Sequence, residues 1–262
     1  MIAQRFFDEA LSSIVKQTLV PNEIVLAVDG PITEGLENVI SKFCKLRKDT
    51  TKVLRLDKSL GLAASRHLAI LTASNPIIAV MDSDDVCSPD RFKHQIEELN
   101  KPNIDVVGGY IEEFNRQIGD LGRVRDVPLT TSKIRRLSRW RNPINHVTLA
   151  FKKDRYLAIG GYRAIRHSED WDLIVRMLCS DFIVVNVPET FVHVRAGDAM
   201  FNRRRRWKQV IGDLKLITYF YTLNHLNLFQ LFIGVFGRLT LRILPGSLTQ
   251  MCYRLFRTQI KS

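Results

Sequence analysis

A mostly parallel, doubly wound α/β fold is predicted by three observations. Short apolar runs alternate with helical stripes over the first hundred residues; the runs are continuous, as in strands covered on both faces; and two of them end in acids followed by turn residues. Residues 5–17 carry Phe6, Phe7, Ala10, Leu11, Ile14 and Val15 at helical spacing, and Pro21-Asn22 breaks that helix. Glu23-Ile24-Val25-Leu26-Ala27-Val28 is a strand that stops at the turn Asp29-Gly30-Pro31. Residues 33–48 form a helix with Leu36, Val39, Ile40 and Phe43 on one face, and residues 52–56 form the next strand. Residues 61–73 are Ala-rich and helical, carry Arg66 and His67, and lead into a strand at Ile77.

That strand, Ile77-Ile78-Ala79-Val80-Met81, runs straight into Asp82-Ser83-Asp84-Asp85. Ligands of open α/β sheets sit beyond the carboxyl ends of strands, so the acids stand where sites occur. Asp82 and Asp84 lie two apart and can face one pocket. Two hard oxygen donors suit Mg²⁺ or Mn²⁺, with substrate phosphates completing the shell. The plainer alternative is that the acids cap the next helix, which begins at Ser88-Pro89-Asp90 and runs through residues 89–100.

The later order is looser. Residues 105–114 are β-like, 132–140 form a short basic helix, and Arg141-Asn142-Pro143-Ile144-Asn145-His146 is a polar turn before a strand at 147–151. A helix at 153–159 is stopped by Gly160-Gly161, and His167-Ser168-Glu169-Asp170 precedes an amphipathic helix at 171–179. Acids at a helix start also have an ordinary explanation in the helix dipole.

A hydrophobic content of 45% over 262 residues is enough to bury a full core. Charge is uneven: residues 203–262 hold eleven Lys or Arg against one acid, Asp213, a net +10, leaving +2 of the total +12 for residues 1–202. Two units are therefore expected, a nearly neutral body at 1–202 and a basic arm at 203–262 with helices at 211–221 and 226–244. Basic residues beside Leu228, Phe229, Phe232 and Phe236 mark a helix for an anionic membrane interface. Trp207 is a single aromatic beside the Arg203–Arg206 run, not a series of stacking platforms, so a nucleic-acid partner is not expected. Arg5, Asp8 and Glu9 argue against a signal peptide at Met1, and no run reaches the roughly 18 apolar residues of a membrane span. Cys44, Cys87, Cys179 and Cys252 show no CxxC pair and fit a reducing compartment.

With Val28-Asp29-Gly30, Gly61-Leu62-Ala63-Ala64-Ser65-Arg66, Met81-Asp82-Ser83-Asp84-Asp85 and Glu169-Asp170 in this order, the chain resembles an inverting family 2 glycosyltransferase of the GT-A fold. Gln17-Thr18, Val106 to Glu112, Arg141-Asn142-Pro143 with His146, and Gly160-Gly161-Tyr162 are similar to the bacterial O-antigen and exopolysaccharide branch, including amylovoran-type transferases. The resemblance implies that Asp29 and Gly30 meet the nucleotide base and Arg66 its phosphates. It implies Asp82 at the ribose and metal, Asp84 as a direct ligand of Mn²⁺ or Mg²⁺, and Asp170 as the general base. Asn142, His146, Glu169 and His167 would lie on the acceptor side. The implied donor is a nucleotide-diphosphate sugar, with a UDP-hexose or UDP-N-acetylhexosamine expected. The implied acceptor is a polyprenyl-diphosphate-linked glycan, at the cytoplasmic face of the inner membrane.

One departure stands out. Members of the family open with an apolar strand before the first helix, and this sequence has none there. The expected result is a gap between the strands at 24–28 and 77–81, with backbone groups left unpaired. Two expectations follow: a product that starts upstream, or a remnant with impaired activity.

Overall fold

The computed structural model describes residues 2–165, 168–195 and 207–243. An amphipathic helix, α1 (Ile2–Val15), is followed by β1 (Ile24–Asp29), α2 (Glu34–Leu46), β2 (Thr51–Leu56), α3 (Leu62–Thr72) and β3 (Ile77–Ala79). The second half holds β4 (Val86–Cys87), α4 (Arg91–Leu99), β5 (Val106–Phe114), β6 (Arg123–Arg125) and α5 (Thr131–Ser138). A 3₁₀ turn (His146–Thr148) then precedes β7 (Ala150–Lys152), α6 (Lys153–Ala158), α7 (Glu169–Cys179) and β8 (Val184–Arg195). The chain ends its described course in the helical hairpin α8 (Trp207–Thr222) and α9 (Leu228–Ile243).

The architecture is α/β, a mostly parallel sheet flanked by helices. The long strands β5 and β8 pair in parallel, as do β1 and β2, while the short β4, β6 and β7 run against their neighbours. The strands fall into two sheets. β1 and β2 form one, and the other has the order β3-β7-β5-β8-β4, with β6 on β5. No ladder joins β1 to β3 among the described residues.

That division corrects the expectation of a buried strand leading to the acidic tip. β3 is a three-residue edge strand with half-buried Ile77 and Ile78 and exposed Ala79, because only β7 pairs with it. Helices and side chains span the division instead. Leu11 and Ile14 of α1 pack with Ile24 of β1, Phe43 of α2 and Cys87 of β4, with Met81 and Phe92 against the same cluster. The Glu23 carboxylate accepts from Ser74 N at 2.7 Å and Asn75 Nδ2 at 2.9 Å, tying the start of β1 to the loop before β3.

β8, the longest strand among the described residues, is not announced by the sequence, where Pro188-Glu189 interrupts its apolar pattern. The register resolves this: Gly109 faces Val187 and Tyr110 faces Thr190, so Pro188 and Glu189 bulge out of the ladder where a missing N–H costs nothing. Ser88 is not the cap of α4 either. Asp90 occupies the cap position, and the Ser88 hydroxyl donates to Thr190 O at 2.6 Å.

The principal core joins Val106 and Phe151 of the large sheet, with Leu149 just before β7, to Ile134, Tyr156, Leu173, Ile174 and Met177. α7 is the most enclosed helix, and its Asp172 is wholly buried between Arg163 and Arg176. Arg176 also donates to Ile159 O and Gly161 O, fastening the Gly160–Tyr162 turn to α7. Removing one partner of such a buried set costs about 3–5 kcal/mol. The hairpin joins the body through Leu216, Ile217, Phe220 and Leu226, which pack on Trp171 and Val175.

Gly109 is a tight point in the large sheet, since a Cβ there would strike the ring of buried Phe191. Gly109→Ala is expected to destabilise the fold by about 1–3 kcal/mol, the usual cost of overpacking, measured as a lowered urea midpoint.

Candidate functional site

The first part of the candidate site begins at the tip of β1. Gly30 has φ +92°, and a Cβ there would approach Ser59 N within 2.9 Å, so glycine lets the two loops touch. Asp29 holds the opposite loop: its carboxylate accepts from Leu60 N at 2.7 Å, Gly61 N at 3.0 Å and Ser59 Oγ at 3.0 Å. Burial alone would raise the Asp29 carboxyl, but these hydrogen bonds outweigh it and hold it below the ordinary carboxylate range. A carboxylate has about four acceptor positions, so one remains for a ligand. Asp29 thereby shapes the entry to α3.

Arg66, in the second turn of α3, reaches across to the large sheet and forms an ion pair with Asp82. The loop that carries Asp82 and Asp84 is held from behind by two arginines that the sequence did not single out. Arg91, fully buried, donates to Val80 O at 2.6 Å. Arg195, at the end of β8, donates through its backbone N to Asp85 Oδ1 at 3.1 Å and through Nε to Asp84 O at 2.8 Å. Phe6 and Phe114 flank its guanidinium. No local signal marks either arginine as part of a site, because their partners are remote in sequence or are backbone atoms.

Negative charge is concentrated at this tip. Asp85 is buried, and burial together with neighbouring Asp84 and Asp82 pushes its carboxyl up to about 7, against the hydrogen bond from Arg195. Among the described residues, no group of three or more His, Cys, Asp or Glu side chains converges as a metal cage. Asp82 and Asp84 of this loop offer a set of two hard carboxylates. That is the kind of partial shell a divalent cation takes when phosphate oxygens supply the rest. The residues fit such an ion.

The second part of the candidate site comes from the turn after α5 and the start of α7. Asn142 Nδ2 donates to Asp170 Oδ2 at 2.8 Å, and Asp170 Oδ1 accepts from Trp171 N at 2.7 Å. His146 Nε2 lies 3.1 Å from the hydroxyl of Tyr162, while His146 Nδ1 is buried without a hydrogen-bond partner among the described residues. Burial and the charge of Arg66 push the His146 imidazole down to about 4, although Asp170 and Asp82 pull it up. It is neutral at physiological pH. The charges felt by His146 and Tyr162 include Arg66 for both, and Asp170 for both, so the two halves of the site meet around this pair.

The structure thus brings Arg66, Asp82, Asn142, His146 and Asp170 together, with Glu169 acting electrostatically on Tyr162. Asp29 and Gly30 stand at the loop before α3, and Asp84 on the exposed side of the acidic tip. His167 and Arg203–Arg206 lie outside the described residues. The Tyr162 hydroxyl was not assigned from sequence; its one signal was the Gly160-Gly161-Tyr162 string. Its amide donates to Tyr156 Oη at 3.0 Å, and that hydroxyl lies 2.7 Å from His67 Nδ1, which continues the network under the site.

Comparison with known proteins follows the same geometry. The model of the Glycosyl transferase family 2 matches residues 4–173. The chain is 30% identical over 247 residues to the amylovoran biosynthesis glycosyltransferase AmsE of Erwinia amylovora, covering 94% of this chain and 91% of that protein. It is also 30% identical over 250 residues to the UDP-Gal:alpha-D-GlcNAc-diphosphoundecaprenol beta-1,3-galactosyltransferase of Escherichia coli, covering 95% and 90%. Among solved structures, the mannosyltransferase PcManGT from Pyrobaculum calidifontis, in complex with GDP-Man and Mn²⁺, superposes with a TM-score of 0.63 at 18% identity. That match covers 86% of this chain and 61% of the solved one. S. aureus TarS in complex with UDP-GlcNAc gives 0.62 at 15% identity, covering 82% and 62%. The solved chains are longer than this one and at such identities establish the fold alone. On the match over residues 4–173 and two relatives that align along nearly their whole length, the chain belongs to glycosyltransferase family 2 and is a glycosyltransferase.

Proposed function

We propose that the protein transfers a single sugar, with inversion, from a nucleotide-diphosphate sugar to a polyprenyl-diphosphate-linked glycan in bacterial surface polysaccharide synthesis. A UDP-hexose or UDP-N-acetylhexosamine is the proposed donor, and the cytoplasmic face of the inner membrane the proposed place. The observation that carries this reading is the meeting of the Arg66–Asp82 ion pair and the Asn142–Asp170 hydrogen bond around His146 and Tyr162. Relatives named for amylovoran biosynthesis and for galactose transfer to a diphosphoundecaprenol-linked sugar support the substrate class. Neighbours solved with Mn²⁺ and with nucleotide sugars support the donor side.

In this reading the nucleotide base lies against Asp29 and Gly30, and Arg66 faces the diphosphate. Asp84 and Asp82 would hold the divalent cation, which supplies charge neutralisation to the departing diphosphate. On the opposite side, Asn142 fixes the Asp170 carboxylate for an acceptor hydroxyl. As that oxygen bonds to the anomeric carbon, the bond to the diphosphate breaks, the electron pair leaves with the nucleotide, and the hydroxyl proton passes to Asp170. The neutral His146 leaves the Asp170 charge intact. One displacement at one base inverts the anomeric centre.

The second reading, an impaired remnant, draws support from the absence of a ladder between β1 and β3. The intact set Asp82, Asp84 and Asp170 argues against it.

Titrating UDP into the protein calorimetrically with Mn²⁺ is expected to give binding that EDTA abolishes, and Asp84→Ala to weaken it by about tenfold or more. Unchanged binding in Asp84→Ala would remove it as a ligand. Asp170→Asn is expected to keep metal-dependent UDP binding and lower turnover by about a hundredfold or more, the usual loss for a general base. Full turnover in that variant would end the assignment.

A further inference from the structure

α9 is built inside out. Its inward side carries Gly234, which lies against Ile217, and Arg238, whose guanidinium sits 5.0 Å from the Trp171 ring and donates to Trp140 O at 3.0 Å. Its outward side carries Leu228, Phe229, Phe232, Ile233, Phe236 and Leu239, all exposed and all within one face at helical spacing. Phe229 is 72% exposed, Phe232 65% and Phe236 70%. An unbroken apolar face of this kind is a docking surface. No helix among the described residues is long and apolar enough to cross a membrane.

We infer that the outer face of α9 docks into the interface of an anionic lipid bilayer and presents the acceptor side of the site to it. The inference builds on the lipid-linked acceptor proposed above and names the surface that would meet that lipid. Charge selects the occupant: residues 203–262 carry a net +10, which attracts an anionic surface and opposes a second copy approaching through the same region. Position supports it too. Trp171, on which Arg238 stacks, directly follows the base Asp170, and Trp140 lies two residues before Asn142. Ser168 Oγ further donates to Asp213 of α8 at 2.8 Å. The hairpin is thus fastened to the segments that carry the base and the residue orienting it.

Sedimentation of the full chain with vesicles tests the inference, using phosphatidylcholine alone and phosphatidylcholine mixed with phosphatidylglycerol. Wild-type protein is expected to sediment with the mixed vesicles and less in high salt. The doubly substituted Phe232→Asp, Phe236→Asp variant should partition about tenfold or more weakly, with unchanged thermal unfolding. Phe229→Ser, at the most exposed position, provides a milder second variant with the same expected direction. Equal sedimentation of wild type and both variants would overturn the inference. So would wild-type protein that stays in solution, whether as a monomer or as a dimer that the variants dissociate, the dimer showing that a second copy covers the face. Sedimentation needs no donor or acceptor and so reads the docking face alone; a separate transferase assay that found no activity would refute the proposed function and leave the docking face standing.

Discussion

The ion pair between Arg66 and Asp82 is the contact on which the site depends, because it crosses between two sheets that share no hydrogen-bonded ladder. Arg66 stands on α3, which packs chiefly on β1, whereas Asp82 stands at the tip of β3 in the large sheet. A guanidinium–carboxylate contact at 14% and 30% side-chain exposure is far better shielded than a surface pair. α1 and Glu23 supply the packing and hydrogen bonding that keep the two sheets in reach of each other. The pair therefore fixes two residues of the candidate site, one from each sheet, relative to each other.

α7 holds Asp170 in the candidate site as α3 holds Arg66. Asp170 sits in its first turn, and two residues on, Asp172 is clamped by Arg163 and Arg176, the latter also gripping the turn that ends in Tyr162. Arg163 stacks on Tyr219 at 3.9 Å, so the same ionic centre reaches α8. One buried carboxylate thus fixes Asp170, Tyr162 and the hairpin relative to each other. A change in how the hairpin is seated would be felt at Asp170 through few intermediaries.

Much of this was legible in the sequence because it is local. Asp29-Gly30, the acidic run after Met81 and Asp170 before an amphipathic stripe are each a strand tip or helix start, and such positions follow from short-range pattern. What resisted reading is non-local. β8 hides behind Pro188-Glu189, whose bulge exists only relative to β5. The edge position of β3 depends on which strands pair, not on its own five apolar residues. Arg91 and Arg195 shape the acidic tip by holding backbone carbonyls and a buried carboxylate, contacts that leave no spacing to detect.

The account reduces to a single displacement carried out between a metal-assisted leaving group and one fixed carboxylate. The stereochemistry of the product bears on it most directly, since it reports how many bonds are made at the anomeric carbon. Nuclear magnetic resonance of the glycoside formed from a donor whose sugar is α-linked to its diphosphate should show a β-linkage. An α-linked product would contradict the account, because a single displacement from the face opposite the leaving group inverts the anomeric centre.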